Sequence, residues 1–407
     1  MRARFLTVFA VLLSLFAAPV HAAEELKVVI DQASFDAWLV DFRTEAAGKG
    51  ISQGILDAAL TDLKPIPRVI ELDRRQPEFT WTFREYMSRL VNDARIQKGR
   101  KKLADNRALL DTIGKKYGIQ PRYLVAFWGL ETDFGRLAEG YFPTVAALAT
   151  LAHDGRRSKF FRAQLLAALK ILDQGHISPA AMKGSWAGAM GHFQFIPTTF
   201  AAYAQDWDGD GKQNIWGNKP DAYASAANFL TSSGWKGDEI WGREVKLPAS
   251  FDFNLASMKV KKPLAEWQGL GVRRLDGANL PSVDMTASIV APAGAKGPAF
   301  MIYGNFRTIM VWNRSVFYAI AVGTLADRIV GLPGISTLGP KGDRGLKHAE
   351  SRELQQRLTD LGFDTGGVDG VLGPNSREAV RGFQRTVGLI PDGYPSIELL
   401  ERVRKGL

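Results

Sequence analysis

The sequence predicts an α+β protein, mainly α, with a small sheet set into a helical body and a helical module at the C-terminus. Three observations predict it. Apolar residues recur at helical spacing from Ser34 to about Gly118, and again in segments up to Ser232. Between Gly242 and Trp312 short runs of strand character take over. Residues 331–346 are then crowded with glycine and proline, ahead of a compact tail.

Ser34 is a plausible N-cap for the segment that opens Phe35-Asp36-Ala37-Trp38-Leu39. Helical spacing continues over 81–94 and 104–117. Pro121 starts a helix that runs to Phe134, and Gly135 ends it; proline just inside the start and glycine past the end is the expected asymmetry. Further helices are expected over 158–173 and 221–232. Strands are expected over 243–247, 287–290 and 299–303, with Gly294, Gly297 and Pro298 turning between the last two. A final core helix covers 315–330. In the tail, Leu354, Leu358 and Leu361 share one helix face, and Ala379, Val380 and Phe383 share another.

The N-terminus reads as a signal peptide over residues 1–22. Arg2 and Arg4 precede an apolar run from Phe5 to Ala18, Pro19 breaks it, and Val20-His21-Ala22 offers a small-residue cleavage site. The run is short for a bilayer span, which disfavours a retained anchor. The arginines are not adjacent, which favours the general secretion route. The expected divisions are then a catalytic body over 23–332, a linker over 333–348 and a module over 349–407. A chain of 407 residues with 46% apolar content can bury a large core. It has no cysteine, so neither a disulfide nor a lipid-modified N-terminal cysteine is available. A soluble, periplasmic, monomeric protein without a membrane anchor is expected. Removing Arg2 and Arg4 from a net charge of +10 leaves +8, which suits a polyanionic partner or simply solubility. Export makes nucleic acid an unsuitable partner.

Two segments carry the chemistry. In Phe127-Trp128-Gly129-Leu130-Glu131-Thr132-Asp133-Phe134-Gly135, helical spacing puts Glu131 on a face with Phe127, Trp128 and Phe134. A carboxyl against aromatic walls loses solvation of its charged form, so its pKa rises and it can donate a proton near neutrality. Taken alone, the pattern also fits a solvated surface glutamate. The second segment is Gly184-Ser185-Trp186-Ala187-Gly188-Ala189-Met190-Gly191-His192-Phe193-Gln194. Its small residues allow a ligand close to the backbone, and Ser185 and Gln194 offer hydrogen bonds suited to sugar hydroxyl and N-acetyl groups.

Together, Glu131-Thr132-Asp133-Phe134-Gly135 and the 184–194 segment resemble the signature of the B-type lytic murein transglycosylases, which have a lysozyme-like helical core. The resemblance runs from about Phe35 to Leu332. It implies that Glu131 is the catalytic glutamate, that Ser185 and Gln194 lie near the cleaved bond, and that Arg156 and Arg157 face substrate carboxylates at the groove. It also implies that the Trp312-Asn313-Arg314-Ser315 stretch closes the site and that Phe229, Trp312 and Asn313 bind substrate. Phe229 and Trp312 stand where the family favours tyrosine.

Ordinary glycosidases use two carboxylates. No second one is evident here, because Asp133 is two positions from Glu131 and points elsewhere on the helix. The resemblance implies that Glu131 serves as both acid and base on the MurNAc–GlcNAc bond, giving a 1,6-anhydro product without organic cofactor. A muramidase using Asp206 or Asp208 as second carboxylate, and a non-catalytic wall-binding protein, are the alternatives. The tail from Glu350 to Leu400 is similar to the three-helix peptidoglycan-binding domain of wall hydrolases, implying a tether to the wall.

Asp206-Trp207-Asp208-Gly209-Asp210-Gly211-Lys212 opens like an EF-hand loop, with acids at positions 1, 3 and 5 and glycine at 6. Position 12 is Gly217 rather than glutamate, and Asp221 follows late, as in the family's irregular loop. Asp206, Asp208, Asp210, the Lys212 carbonyl and Asp221 are the expected ligands of a structural Ca²⁺; a solvated acidic turn is the alternative. Five histidines, none paired at helical zinc spacing, disfavour a zinc peptidase.

Overall fold

The computed structural model describes residues 28–74 and 81–406; the expected signal peptide lies outside them. The helices, in chain order, are α1 (Gln32–Gly48), α2 (Gln53–Leu60), α3 (Pro67–Arg74), α4 (Phe83–Leu90), α5 (Asp93–Asp105), α6 (Arg107–Tyr117), α7 (Pro121–Thr132), α8 (Thr144–His153), α9 (Ser158–Asp173), α10 (Pro197–Tyr203) and α11 (Lys219–Ser232). Then come α12 (Leu264–Gly269), α13 (Gly304–Trp312), α14 (Val316–Ile329), α15 (His348–Asp360), α16 (Pro374–Thr386) and α17 (Ile397–Arg404). The strands are β1 (Phe142–Pro143), β2 (Lys183–Gly184), β3 (Gly242–Lys246), β4 (Lys262–Pro263), β5 (Arg273–Arg274), β6 (Thr286–Val290) and β7 (Ala299–Ile302). The mainly helical α+β class is what the sequence predicted.

Two compact units form, and they interleave along the chain. The described part of Met1–Gln76 joins Ala94–Gly237 and Val311–Arg314; the described part of Pro77–Asp93 joins Asp238–Met310 and Ser315–Leu407.

In the first unit, α7 is the spine. Every residue from Tyr123 to Thr132 is buried, as a helix apolar on all sides must be. Helices α6 and α11 pack on it. Helix α8, absent from the sequence reading, is buried from Thr144 to Ala152, so it has no polar face to give it an amphipathic period. The expected helix over 81–94 breaks in two: α4 stops at Leu90, and α5 restarts at Asp93.

The second unit holds an antiparallel sheet in the order β4-β6-β7-β3-β5. The expected hairpin pairs Ser288 with Ile302 and Val290 with Phe300. Its core side collects Val245, Leu264, Trp267, Ile289 and Met301. The tail folds as α15–α17 around Leu354, Leu358, Val380, Phe383 and Leu400.

The segment with linker composition is laid down rather than loose. Ser336 N donates to Glu244 Oε2 at 2.8 Å, Arg84 Nε donates to Pro340 O at 3.0 Å, and Leu346 enters the tail's core. The tail itself is docked on the β6–β7 turn. Asp392 Oδ2 accepts from Ala295 N at 2.7 Å, and Lys296 pairs with Glu398 at 2.8 Å. Among the described residues, no single helix is long and apolar enough to cross a membrane.

Candidate active site

Helix α7 ends unusually, and its ending builds the site. Asp133 (φ 50°) and Phe134 (φ 59°) both take left-handed backbone, a conformation costly outside glycine. The helix therefore stops at Thr132, two residues before the expected end. Thr132 Oγ1 donates to His192 O at 2.8 Å and accepts from Gly135 N at 3.1 Å. This hydroxyl thereby staples the end of α7 to the 184–194 segment. Gly135 must be glycine, because a Cβ there would lie 2.6 Å from His192 Cε1.

The 184–194 segment starts from β2, paired with β1, and is held by its own polar groups. Ser185 N donates to Ala189 O at 2.7 Å, and Ser185 Oγ accepts from Ala189 N at 3.0 Å and Ala187 N at 3.3 Å. Gln194 adopts φ 51°, and its Nε2 donates to Gly191 O at 3.1 Å. Of five described non-glycine residues with positive φ, four lie at or beside predicted site residues: Asp133, Phe134, Arg157 and Gln194. Strain of this kind concentrates at functional sites.

Glu131 is 2% exposed, and its Oε1 accepts from Trp312 Nε1 at 3.0 Å. Trp312 sits in an aromatic cage, with ring centroids 4.6 Å from Phe127, 4.8 Å from Phe229, 5.4 Å from Phe195 and 6.2 Å from Phe193. The structure thus brings Glu131, Trp312 and Phe229 together. Trp312 and Phe229 are themselves buried, so they wall the carboxyl rather than present open faces. Asn313, beside Trp312, is also buried.

Asp133 lies just past the end of α7 and is held by two cations. Burial acts to raise its pKa, but hydrogen bonds from Arg136 (2.7 Å) and Lys98 outweigh that and hold it below the ordinary carboxylate value. Arg156 and Arg157 meet a partner no local pattern announced. Asp73, at 1% exposure, accepts from Arg156 Nη1 at 2.8 Å and pairs with Arg157. Their forks are thus already oriented by a buried carboxylate, although the side chains remain half to one third exposed.

His192 was a second unforeseen part. Its Nδ1 accepts from Trp128 Nε1 at 2.9 Å, and burial, with a small push from Lys219, lowers its pKa to about 4. The ring is therefore a neutral prop and not an acid at neutral pH. The unfolded chain binds a proton on this ring at pH values where the folded chain does not. Stability should therefore rise from about pH 4 to 6.5 by up to about 1.4 kcal/mol per pH unit, then level off. Urea unfolding of the His192→Asn variant across that window should show a shallower slope than the parent; equal slopes would contradict the assignment.

The profile of the "Transglycosylase SLT domain" family matches residues 34–327. The chain belongs to this family. It is a lytic transglycosylase, an enzyme that acts on peptidoglycan. Residues 347–403 match the "Putative peptidoglycan binding domain" profile. The membrane-bound lytic murein transglycosylase B of Escherichia coli K12 is 30% identical over 266 residues, covering 62% of this chain and 68% of its own length. SltB3 of Pseudomonas aeruginosa, crystallised with NAG-anhNAM-pentapeptide, is 45% identical with a TM-score of 0.88, over 92% of this chain and all of that one. The E. coli transglycosylase Slt35 in complex with calcium is 26% identical with a TM-score of 0.63, over 72% of this chain and 92% of that one.

In this transglycosylase, Asp206, Asp208 and Asp210 bring carboxylate oxygens within 4.8 Å of one another on an exposed loop. Hard oxygen donors in such a cluster fit Ca²⁺. The loop is preformed: Asp206 accepts from Gly209 N at 2.7 Å and Gly211 N at 2.9 Å, and Asp210 accepts from Lys212 N at 2.8 Å. Asp221 does not join the cluster. It is fully buried at the start of α11, and its two oxygens accept from Trp207 N and Asn214 N, each at 2.8 Å. These two hydrogen bonds join the two ends of the loop through Asp221.

Proposed function

We propose that Glu131 is the single acid/base of this transglycosylase, cleaving the MurNAc–GlcNAc bond with formation of a 1,6-anhydro-MurNAc end. The observation that carries the reading is a carboxyl 2% exposed and bonded to the caged Trp312 indole, while its sequence neighbour Asp133 is committed to Lys98 and Arg136. Asp206 and Asp208, the acids a muramidase reading needs, cluster instead with Asp210.

Glu131 protonates the glycosidic oxygen as the bond breaks. The N-acetyl group of the substrate stabilises the developing cation. The Glu131 carboxylate then takes the proton of the muramic C6 hydroxyl, whose oxygen bonds to the anomeric carbon. The proton count closes and no water is consumed. The Ser185 hydroxyl and the Gln194 amide flank the sugars, and Arg156 and Arg157 meet the lactyl or peptide carboxylates, with Asn313 beside Trp312 closing the site. The complex of SltB3 with NAG-anhNAM-pentapeptide supports carrying this chemistry to the present chain. The reaction calls for no organic cofactor. The enzyme acts in the periplasm after removal of residues 1–22, and residues 349–407 hold it to the wall.

Mass spectrometry of muropeptides released from purified peptidoglycan tests the reading. Ends lighter by one water than hydrolysis products are expected; free reducing ends would make the enzyme a muramidase.

Asp206, Asp208, Asp210 and the Lys212 carbonyl hold a structural Ca²⁺, which neutralises the cluster and stiffens the loop after the Gln194 segment. Without a glutamate at position 12 the affinity falls in the weak range, about 10⁻⁴–10⁻³ M. Calcium at about ten times that concentration should stabilise the fold by about 1–2 kcal/mol. Asp208→Ala should erase the gain. Identical melting in calcium and in chelator would overturn the assignment.

A further inference from the structure

We propose that Trp312 is a positioning residue that directs the catalytic proton: its indole N–H holds Glu131 Oε1 as an acceptor, so that Oε2 carries the proton that is given and taken back. This deepens the Glu131 reading and rests on it.

An indole nitrogen is a donor only, and a neutral carboxyl has one hydroxyl oxygen and one carbonyl oxygen. The carbonyl oxygen is the better acceptor. Trp312 Nε1 lies 3.0 Å from Glu131 Oε1, within ordinary hydrogen-bond range. In the acid form, Oε1 is therefore the carbonyl oxygen and the proton belongs on Oε2. Once Oε2 has passed its proton to the glycosidic oxygen, the group is a carboxylate and the same N–H becomes a charge-assisted donor. The contact thus strengthens as charge develops, which is when a stabilising interaction raises the rate. The cage fixes this geometry: Phe127, Phe229, Phe195 and Phe193 all pack on the Trp312 ring and leave the indole little freedom to turn.

Other ionisable side chains on the described elements around the cage must be kept apart from the readout. The 184–194 segment contributes His192, neutral down to a pH of about 4. Helix α11 contributes Tyr223, pushed far above its ordinary value by burial, with Lys219 and Asp221 at its start. Helix α7 contributes Arg122, Tyr123 and the lowered Asp133 just past its end. Tyr203 comes from α10, and Arg314 lies two residues beyond Trp312.

The test is Trp312→Phe, which keeps an aromatic ring in the cage and removes the donor. A donor to a carboxylate lowers its pKa, so its removal leaves Glu131 protonated to higher pH. The alkaline limb of the pH–rate profile should move up by about one pH unit, while kcat falls roughly tenfold and KM changes little. A limb that stays in place overturns the proposal, whatever happens to kcat, since a merely structural role predicts slower turnover with the same pH dependence.

A second measurement needs no altered cage. The Trp312 indole N–H resonance of the parent enzyme should titrate with the same midpoint as the alkaline limb, and should lose that inflection in Glu131→Gln. A flat resonance in the parent overturns the proposal. Activity retained by Glu131→Gln would instead sink the acid/base reading, and the indole titration could still be present.

Discussion

Replacing Glu131 by glutamine should lower the rate of peptidoglycan solubilisation by about a thousandfold or more, with little change in binding to the insoluble substrate. General acid–base catalysis contributes about 10²–10⁴-fold where one proton transfer is assisted. On the proposed mechanism one side chain assists two transfers, so neither half of the reaction would keep its helper. The fold should survive the change. The amide has nearly the volume of the carboxyl, and its oxygen can still accept from Trp312 Nε1, which lies 3.0 Å from Glu131 Oε1. A melting temperature near that of the parent, with pelleting on peptidoglycan retained, would show that chemistry alone was removed. A variant within tenfold of the parent would exclude Glu131 as the acid.

The second large effect concerns a glycine outside both sequence motifs. Gly140 has φ 74°, and a Cβ built on it would lie 2.4 Å from Gly184 Cα and 2.5 Å from Gly184 N. The obstacle is backbone, which cannot swing aside as a side chain can. Tyr141 N donates to Gly184 O at 2.9 Å beside this crossing, and Ser185 follows immediately. Gly140→Ala should therefore cost about 2–4 kcal/mol, combining left-handed strain with a displaced backbone. It should also disturb the Ser185 loop enough to lower activity. Gly155→Ala is the control. Gly155 has φ 85° but open space around its Cβ, so only the left-handed term of about 1 kcal/mol applies. Equal losses for the two variants in urea unfolding would show that the crossing is not tight.

The fold class was legible because it rests on periodicity and on punctuation. Pro121 opens α7, and the turn built on Gly294, Gly297 and Pro298 separates β6 from β7. The failures have physical causes. Helix α8 is buried from Thr144 to Ala152 and so lacks the polar face that a period needs. The two-residue strands β1, β2, β4 and β5 are too short to show alternation. The glycine- and proline-rich stretch is a strap held by Arg84 and Glu244, residues remote in sequence from what they hold.

The candidate site was legible as two motifs and illegible in what supports them. Helical spacing grouped Glu131 with Phe127, Trp128 and Phe134, but α7 stops at Thr132, and the indole that reaches the carboxyl, Trp312, lies 181 positions away. Asp73 lies 83 positions from Arg156, and nothing near it in sequence marks a buried carboxylate between two guanidinium groups. The hold of Asp221 on Trp207 N and Asn214 N depends on where the start of α11 falls, which the loop's own sequence does not mark.

In the proposed reaction one carboxyl, Glu131, opens the glycosidic bond and closes the anhydro ring without water. Digestion of peptidoglycan in water enriched in heavy oxygen tests it most directly. The new muramic ends should carry no label, since their ring oxygen comes from the substrate's own C6 hydroxyl. Labelled ends at the cleaved bond would contradict the account, because water would then be the nucleophile and a second carboxylate would have to be found to activate it.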